Sequence, residues 1–198
     1  MAVTPNYSWP VPVNTDLVKD GAEAIKDLGD AIDATVFGLP SGALALVKTQ
    51  TIGTAVTSVN VTGAFSATYP AYKIFISGGV GSTGMGLSLK LGASTTGYYL
   101  SGLYIPYTGG TSVNATNNGS NFANAGYANA NMSNLEFQLI DVGVANFTRV
   151  TGANIAVDAG VTFAGIHQVA TAYTDFTITP STGTITGGTI YVYGYAGS

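Results

Sequence analysis

From Ala43 to Ser198 the chain is a succession of short β-branched and aromatic runs, each closed by Gly, Pro, Asn, Asp or Ser. They read "LVKTQTI", "VTSVNVT", "AYKIFIS", "GLSLKLG", "GYYLSGLYI", "NLEFQLIDV", "FTRVTGANIAV", "TFAGIHQVA", "DFTITP" and "TIYVYGYAG". Side chains branched at Cβ pack well on a pleated surface, and the residues between supply turn dihedrals, so these runs are expected to be strands. No helical periodicity separates them. Parallel βαβ units are thereby excluded, and an antiparallel β-sandwich, jelly-roll-like in its connections, is expected over residues 43–198. In the last run Tyr191, Tyr193 and Tyr195 share one face, and Ile190 and Val192 the other. With both faces apolar, that strand is central or lies at a subunit contact.

One stretch breaks the pattern: "GGTSVNATNNGSNFANAGYANANMSN", residues 109–134. It is dominated by Asn, Gly, Ser and Ala and is too long for a tight connection. Two readings stand. It is a mobile loop, or an excursion that packs on a neighbour or carries recognition through its amides and Tyr127.

Ahead of the β region, residues 15–38 read as a short helix. Asn14, Thr15 or Asp16 can cap it, and Gly38 with Pro40 ends it. It is a compositional anomaly: Asp16, Lys19, Asp20, Glu23, Lys26, Asp27, Asp30 and Asp33 make up half of the charged residues of the chain. Val18, Ile25 and Ile32 recur every seven residues. As position a of a heptad they put Gly21, Leu28 and Thr35 at d, and the charges fall on b, c and f, facing water. The expected seam is Val18, Ile25, Leu28 and Ile32. A helix this short with two glycines is marginal alone. It packs either on its own domain or in a parallel bundle with other copies, as an oligomeric stalk.

Residues 1–14, "MAVTPNYSWPVPVN", contain Pro5, Pro10 and Pro12. These exclude a helix and favour an extended path. The segment is either a plain terminus or a docking tail in which Tyr7, Trp9, Pro10 and Pro12 meet another protein.

Composition excludes several function classes. The residues are 46% hydrophobic, yet no run of about 18–20 apolar residues occurs, so no membrane-inserted helix is expected. The first twenty residues lack a basic start and an apolar centre, so no secretory signal is expected. Without cysteine there is neither a disulfide nor a thiolate metal site. A net charge of −4 with only six scattered Lys and Arg argues against nucleic acid. Charged residues make up only 8% of the chain, few for a small soluble domain, which points to surface covered by assembly.

Catalytic signatures fail one by one. Gly79, Gly81 and Gly84 have G-x-G-x-x-G spacing, but the strand-like "MGLSLKLG" follows where a dinucleotide site needs a helix, so a hairpin turn is expected. His167 is the only histidine, so no His-based metal cluster forms, and it reads as a strand residue. The β region offers only four carboxylates: Glu136, Asp141, Asp158 and Asp175. Glu136 and Asp141, five apart, point to opposite faces of one strand, and no pair suited to glycoside cleavage stands out. The expectation is a protein without catalytic residues, metal or cofactor.

The opening "NYSWPVPVNTDLVKDGAEAIKDLGDAID" resembles the N-terminal segment of tailed-bacteriophage virion structural proteins of the minor tail or head-fibre type. "LVKTQTIGTAVTSVNVTGAFSATYPAYKIFISGG", "LGASTTGYY" and "GGTIYVYGYAGS" resemble the β domain of the same group. The resemblance implies a small homotrimeric fibre of the virion, made in the host bacterial cytoplasm. It would be attached to tail, neck or capsid through residues 1–14, with a helical bundle and a distal β domain. Beside this structural role stands a receptor-binding module for host cell-surface glycan, with Tyr98, Tyr99, Tyr104, Tyr107 and Tyr127 as candidate sugar contacts.

Overall fold

A computed structural model of the chain describes residues 2–11, 13, 20–38, 44–130 and 134–196. The chain divides into two compact units, Met1–Ser41 and Gly42–Ser198.

In the first unit, β1 (Ala2–Val3) and β2 (Pro10–Val11) pair antiparallel, with Val3 opposite Pro10. The N-terminal segment therefore folds back on itself instead of running out as a single extended tail. Thr4 closes the fold-back. Its N–H donates to the Trp9 carbonyl at 2.9 Å, its carbonyl accepts from Ser8 N–H at 3.0 Å, and its hydroxyl accepts from Trp9 N–H at 3.0 Å. Ser8 turns the chain with φ 55. Prolines exclude a helix, but in a two-stranded ribbon every strand is an edge, where a missing N–H is tolerated. Pro12 lies outside the described residues.

The helix α1 spans Gly21–Gly38 and ends at the expected residue. Val18 and the capping candidates Asn14, Thr15 and Asp16 lie outside the described residues. Trp9 Nε1 donates to Thr35 Oγ1 at 2.8 Å, and that hydroxyl donates to the Ala31 carbonyl at 2.8 Å. Tyr7 stacks on Trp9, with ring centroids 5.2 Å apart. The helix thus rests on its own hairpin through one side. Ala24 is buried, Leu28 and Ile32 are half-buried, and Ile25 is 68% exposed. The exposed i,i+4 pair Lys26–Asp30 adds little stability.

The second unit contains β3 (Leu44–Thr51), β4 (Val59–Val61), β5 (Ala71–Ser77), β6 (Val80–Gly81), β7 (Met85–Leu91), β8 (Tyr98–Pro106) and β9 (Ser112–Gly119). It continues with β10 (Phe122–Ala128), β11 (Asn134–Ile140), β12 (Thr148–Ile155), β13 (Ala159–His167), β14 (Phe176–Pro180), β15 (Ile185–Thr186) and β16 (Thr189–Tyr195). Eight strands form a sheet in the order β3-β16-β5-β11-β12-β13-β8-β9, four form a sheet in the order β10-β7-β14-β4, and β15 pairs with β6. Every pairing is antiparallel. The chain is mainly β with one described helix.

Alternation assigns each strand an inner face. Tyr72, Ile74 and Ile76 of β5, Leu135, Phe137 and Leu139 of β11, and Ile190 and Val192 of β16 are buried. From the smaller sheet come Leu87, Leu89 and Leu91 of β7 with Phe176 and Ile178 of β14. These side chains form one hydrophobic cluster, so the two sheets share a core. Phe176 lies edge-on to Phe137 at 6.1 Å and stacks on Phe65 at 5.4 Å, and Phe65 meets Tyr72 edge-on at 4.9 Å. β16 runs between β3 and β5 and is central, as its two apolar faces require.

All ten sequence runs contain a strand. Two connections differ from expectation. Residues 109–134 hold β9 and β10, pinned by ladders to β8 and β7 despite their weak intrinsic preference for strand. The Gly79–Gly84 segment is followed by a strand, but it is not a hairpin, because β5 and β7 belong to different sheets. It is a crossing, with β6 paired to β15. Close backbone approach demands glycine at its base: a Cβ on Gly188 would lie 2.7 Å from Gly78 C and Gly79 N.

Phe176→Ala empties the junction between the sheets, and a loss of about 3–5 kcal/mol in denaturant unfolding is expected. Thr35→Val removes the partner of the Trp9 ring N–H, a loss of about 1–2 kcal/mol from the first unit. Trp9 is the only tryptophan. Its emission therefore reports this change directly, as a lower unfolding midpoint.

Candidate functional site

β9 and β10 are consecutive, joined only by Ser120 and Asn121, yet β9 pairs in the larger sheet and β10 in the smaller. No ladder joins their backbones. Side chains bridge them instead: Asn114 Nδ2 donates to the Ala123 carbonyl at 2.7 Å, and Asn124 Nδ2 reaches Asn114 Oδ1 at a long 3.5 Å. The gap widens into a cleft of about 340 Å³. Gly86, Gly102 and Gly126 line it together with Tyr104, Tyr127, Asn114 and Asn124, and Ser112, Leu103, Val113 and Val161 complete the wall.

Each strand carries a register shift beside the link, and each shift holds an asparagine with positive φ, Asn118 at 51 and Asn124 at 52. Such bulges re-aim side chains, and asparagine tolerates the left-handed region better than most residues. Asn118 has an evident structural role: its Oδ1 accepts from Gly97 N at 2.9 Å and Thr96 Oγ1 at 3.1 Å. Asn124 is aimed over Gly86, where a Cβ would stand 1.9 Å from its Oδ1. Gly84 makes similar room for Tyr127, since a Cβ there would lie 2.6 Å from the phenol oxygen.

Tyr104 and Tyr127 meet edge to face, with centroids 5.4 Å apart and planes at 62°. Tyr127 is anchored through its backbone, whose N–H donates to Asn154 Oδ1 at 3.0 Å, while Asn154 Nδ2 donates to the Asn134 carbonyl at 2.7 Å. Burial pushes the Tyr127 phenol above its ordinary pKa, and the Asp158 carboxylate and Tyr104 push the same way, while Asn129 opposes them. Asn129 Nδ2 in turn donates to Asp158 Oδ1 at 3.1 Å. No Asp, Glu, Lys, Arg or His lines the cleft. The site offers two aromatic rings, two amides and a glycine floor.

Of the five tyrosines expected to contact glycan, the structure brings Tyr104 and Tyr127 together. Tyr98 is a correction. It has the opposite parity to Tyr99 and points into the core, fully buried and stacked on His167 at 4.1 Å. Its hydroxyl accepts from Leu91 N at 2.9 Å, and burial drives its pKa to about 12. Tyr99 is half-buried on the other face, and Tyr107 lies beyond the strand end, 64% exposed. The amides of residues 109–134 are expected recognition groups, but nothing in the sequence singles out Asn114 and Asn124 as the pair at the cleft. The density of asparagine in residues 109–134 is the signal for such amides.

The carboxylates are dispersed. Glu136 pairs with Lys73 at 3.0 Å and Asp141 with Arg149 at 3.2 Å. Among the described residues no group of three or more His, Asp or Glu is placed to hold a metal ion, and no helix is long and apolar enough to cross a membrane. His167, the last residue of β13, is fully buried, with Nε2 2.7 Å from the Tyr173 hydroxyl. No family model matches the chain, and no curated protein matches it.

Burial lowers the His167 pKa below 6.5, with the Gly97 backbone opposing the shift. The unfolded chain therefore takes up this proton first. The stability held by the neutral imidazole is whole above about pH 6.5 and is lost as the pH falls below it, by at most ~1.4 kcal/mol per pH unit. Melting curves from about pH 7.5 to 5.5 are expected to show this slope in the parent protein and to flatten in His167→Gln.

Proposed function

We propose that the chain is a non-enzymatic structural protein of a virion, a homotrimeric fibre or decoration subunit. In this reading the two facing sheets form a jelly-roll-like β-sandwich, and α1 forms a short parallel bundle. One observation carries the assembly: the outer face of β3, β16 and β5. Tyr191, Tyr193 and Tyr195 line it beside Phe75, in register with Thr49, Leu46 and Leu44. Leu44 is 40% and Leu46 58% exposed, and Phe75 meets Tyr193 edge-on at 5.9 Å. Lys73 stands opposite Tyr193 on this face, over the Phe75 ring, and is neutralised by Glu136 at 3.0 Å; an aromatic surface around one paired charge has the make-up of a subunit interface.

The helix supports the same reading. Trp9 occupies Thr35, a d position of the expected seam, while Ile25 at position a remains outward, where a neighbour in a bundle would meet it. The phage setting rests on the resemblance of the opening, central and closing segments to minor tail and head-fibre proteins. Attachment to tail, neck or capsid is assigned to residues 1–14, of which Ala2–Val11 form a hairpin with Tyr7 as the exposed aromatic and Trp9 held by α1. A second reading, a receptor-binding module for host-surface glycan, has the Tyr104–Tyr127 cleft in its favour.

Sedimentation equilibrium of the full chain is expected to give three times 20.1 kDa. Joint replacement Ile25→Asp and Ile32→Asp is expected to lower that mass on dilution while the circular dichroism of the β unit is unchanged. A parent protein that is monomeric at micromolar concentration would sink the fibre reading.

A further inference from the structure

We propose that the cleft between β9 and β10 is a subsite for one neutral pyranose ring of a glycan. Tyr104 and Tyr127 supply the apolar platform, and Asn114 and Asn124 supply the hydrogen bonds. This deepens the receptor-binding reading and rests on it.

The lining chooses the ligand class by exclusion. Phosphates, nucleotides and acidic sugars need a cation or a cluster of backbone N–H groups, and no Lys, Arg or His lines the cleft. Asp158, close enough to raise the Tyr127 pKa, adds negative charge at that end and disfavours anions further. A purely apolar ligand would shut water away from Asn114 Oδ1 and from the Asn124 amide while offering neither a partner. A pyranose presents C–H bonds on its faces and hydroxyls at its rim, which matches a wall of two tyrosine rings next to two amides. In the edge-to-face pair one ring keeps a face that the other does not cover.

Asn124 carries the inference furthest. It holds a left-handed backbone conformation in the middle of a strand and stands over a glycine that any Cβ would close off. Its side chain makes only the 3.5 Å contact to Asn114 Oδ1 among the described residues, too long to explain that strain. Asn114, by contrast, is fixed by its 2.7 Å bond to Ala123. A hydroxyl seated between the two would donate to Asn114 Oδ1 and accept from Asn124 Nδ2, replacing one long bond by two of ordinary length. Binding is non-covalent, and no bond in the sugar is broken.

The test uses the full chain and methyl glycosides of neutral hexoses, with methyl glucuronide as the acidic control. Binding is read by saturation-transfer NMR and calorimetry. Asn124→Gly deletes the amide while suiting the positive φ, and Tyr104→Leu deletes the aromatic face while keeping apolar bulk. Each is expected to weaken binding by roughly tenfold or more, with melting temperature and oligomeric mass unchanged. Tyr107→Ala, outside the cleft, is expected to bind as the parent does. The proposal is overturned by no binding of any neutral glycoside at millimolar concentration, by preference for the glucuronide, or by affinity that survives both cleft variants. Oligomeric mass, measured on the same samples, separates these outcomes from failure of the fibre reading: a trimer without sugar binding removes the subsite alone.

Discussion

Phe176 belongs to a strand of the smaller sheet, yet its ring is covered by Phe137 from the larger sheet and by Phe65 from the loop that follows β4. This contact between layers is what the remaining architecture depends on. With so few charges and no disulfide, the unit is held by apolar burial and by backbone ladders. The period of two in β5, β7, β11 and β16 turns their aliphatic residues to the same side as Phe176. A sheet of eight strands gains a dry inner face only where the smaller sheet covers it.

The cleft is a by-product of that layering. Where the chain passes from one sheet to the other in two residues, the backbones on either side cannot pair, because each already pairs elsewhere. Their facing groups must be satisfied locally. Asn114 does this for Ala123, and the bulges absorb the change in direction. The opening left behind is polar where the asparagines stand and aromatic where Tyr104 and Tyr127 meet. A topological transition has thus produced the chemical diversity that a binding site requires.

Much of the fold could be read in the sequence, and the failures have physical causes. Runs such as "AYKIFIS" and "TIYVYGY" announced their strands because β-branched and aromatic residues alternate with residues for the other face. β9 and β10 announced nothing. Asn, Ala and Gly have little strand preference of their own, and only the ladders to β8 and β7 hold them extended. The hairpin of β1 and β2 was hidden because its strands are two residues long and its register depends on Thr4, not on a pattern. Tyr98 and Tyr99 were alike as residue types, and one step of strand parity separated a core ring from a surface one. The meeting of Tyr104 with Tyr127 spans two sheets, and no spacing along the chain encodes it.

The short tie through Ser120 and Asn121 has a mechanical meaning. At that corner the two walls of the cleft can part no farther than the link reaches. The opposite end is bounded by Ser112, the first residue of β9, and by Tyr127 near the end of β10, whose N–H is held at 3.0 Å by Asn154 of β12 in the larger sheet. The opening is therefore tied at both ends, covalently at the corner and by one hydrogen bond at the tyrosines. The covalent tie is the stiffer of the two, so any widening of the cleft falls at the tyrosines, where one hydrogen bond gives way before the chain does.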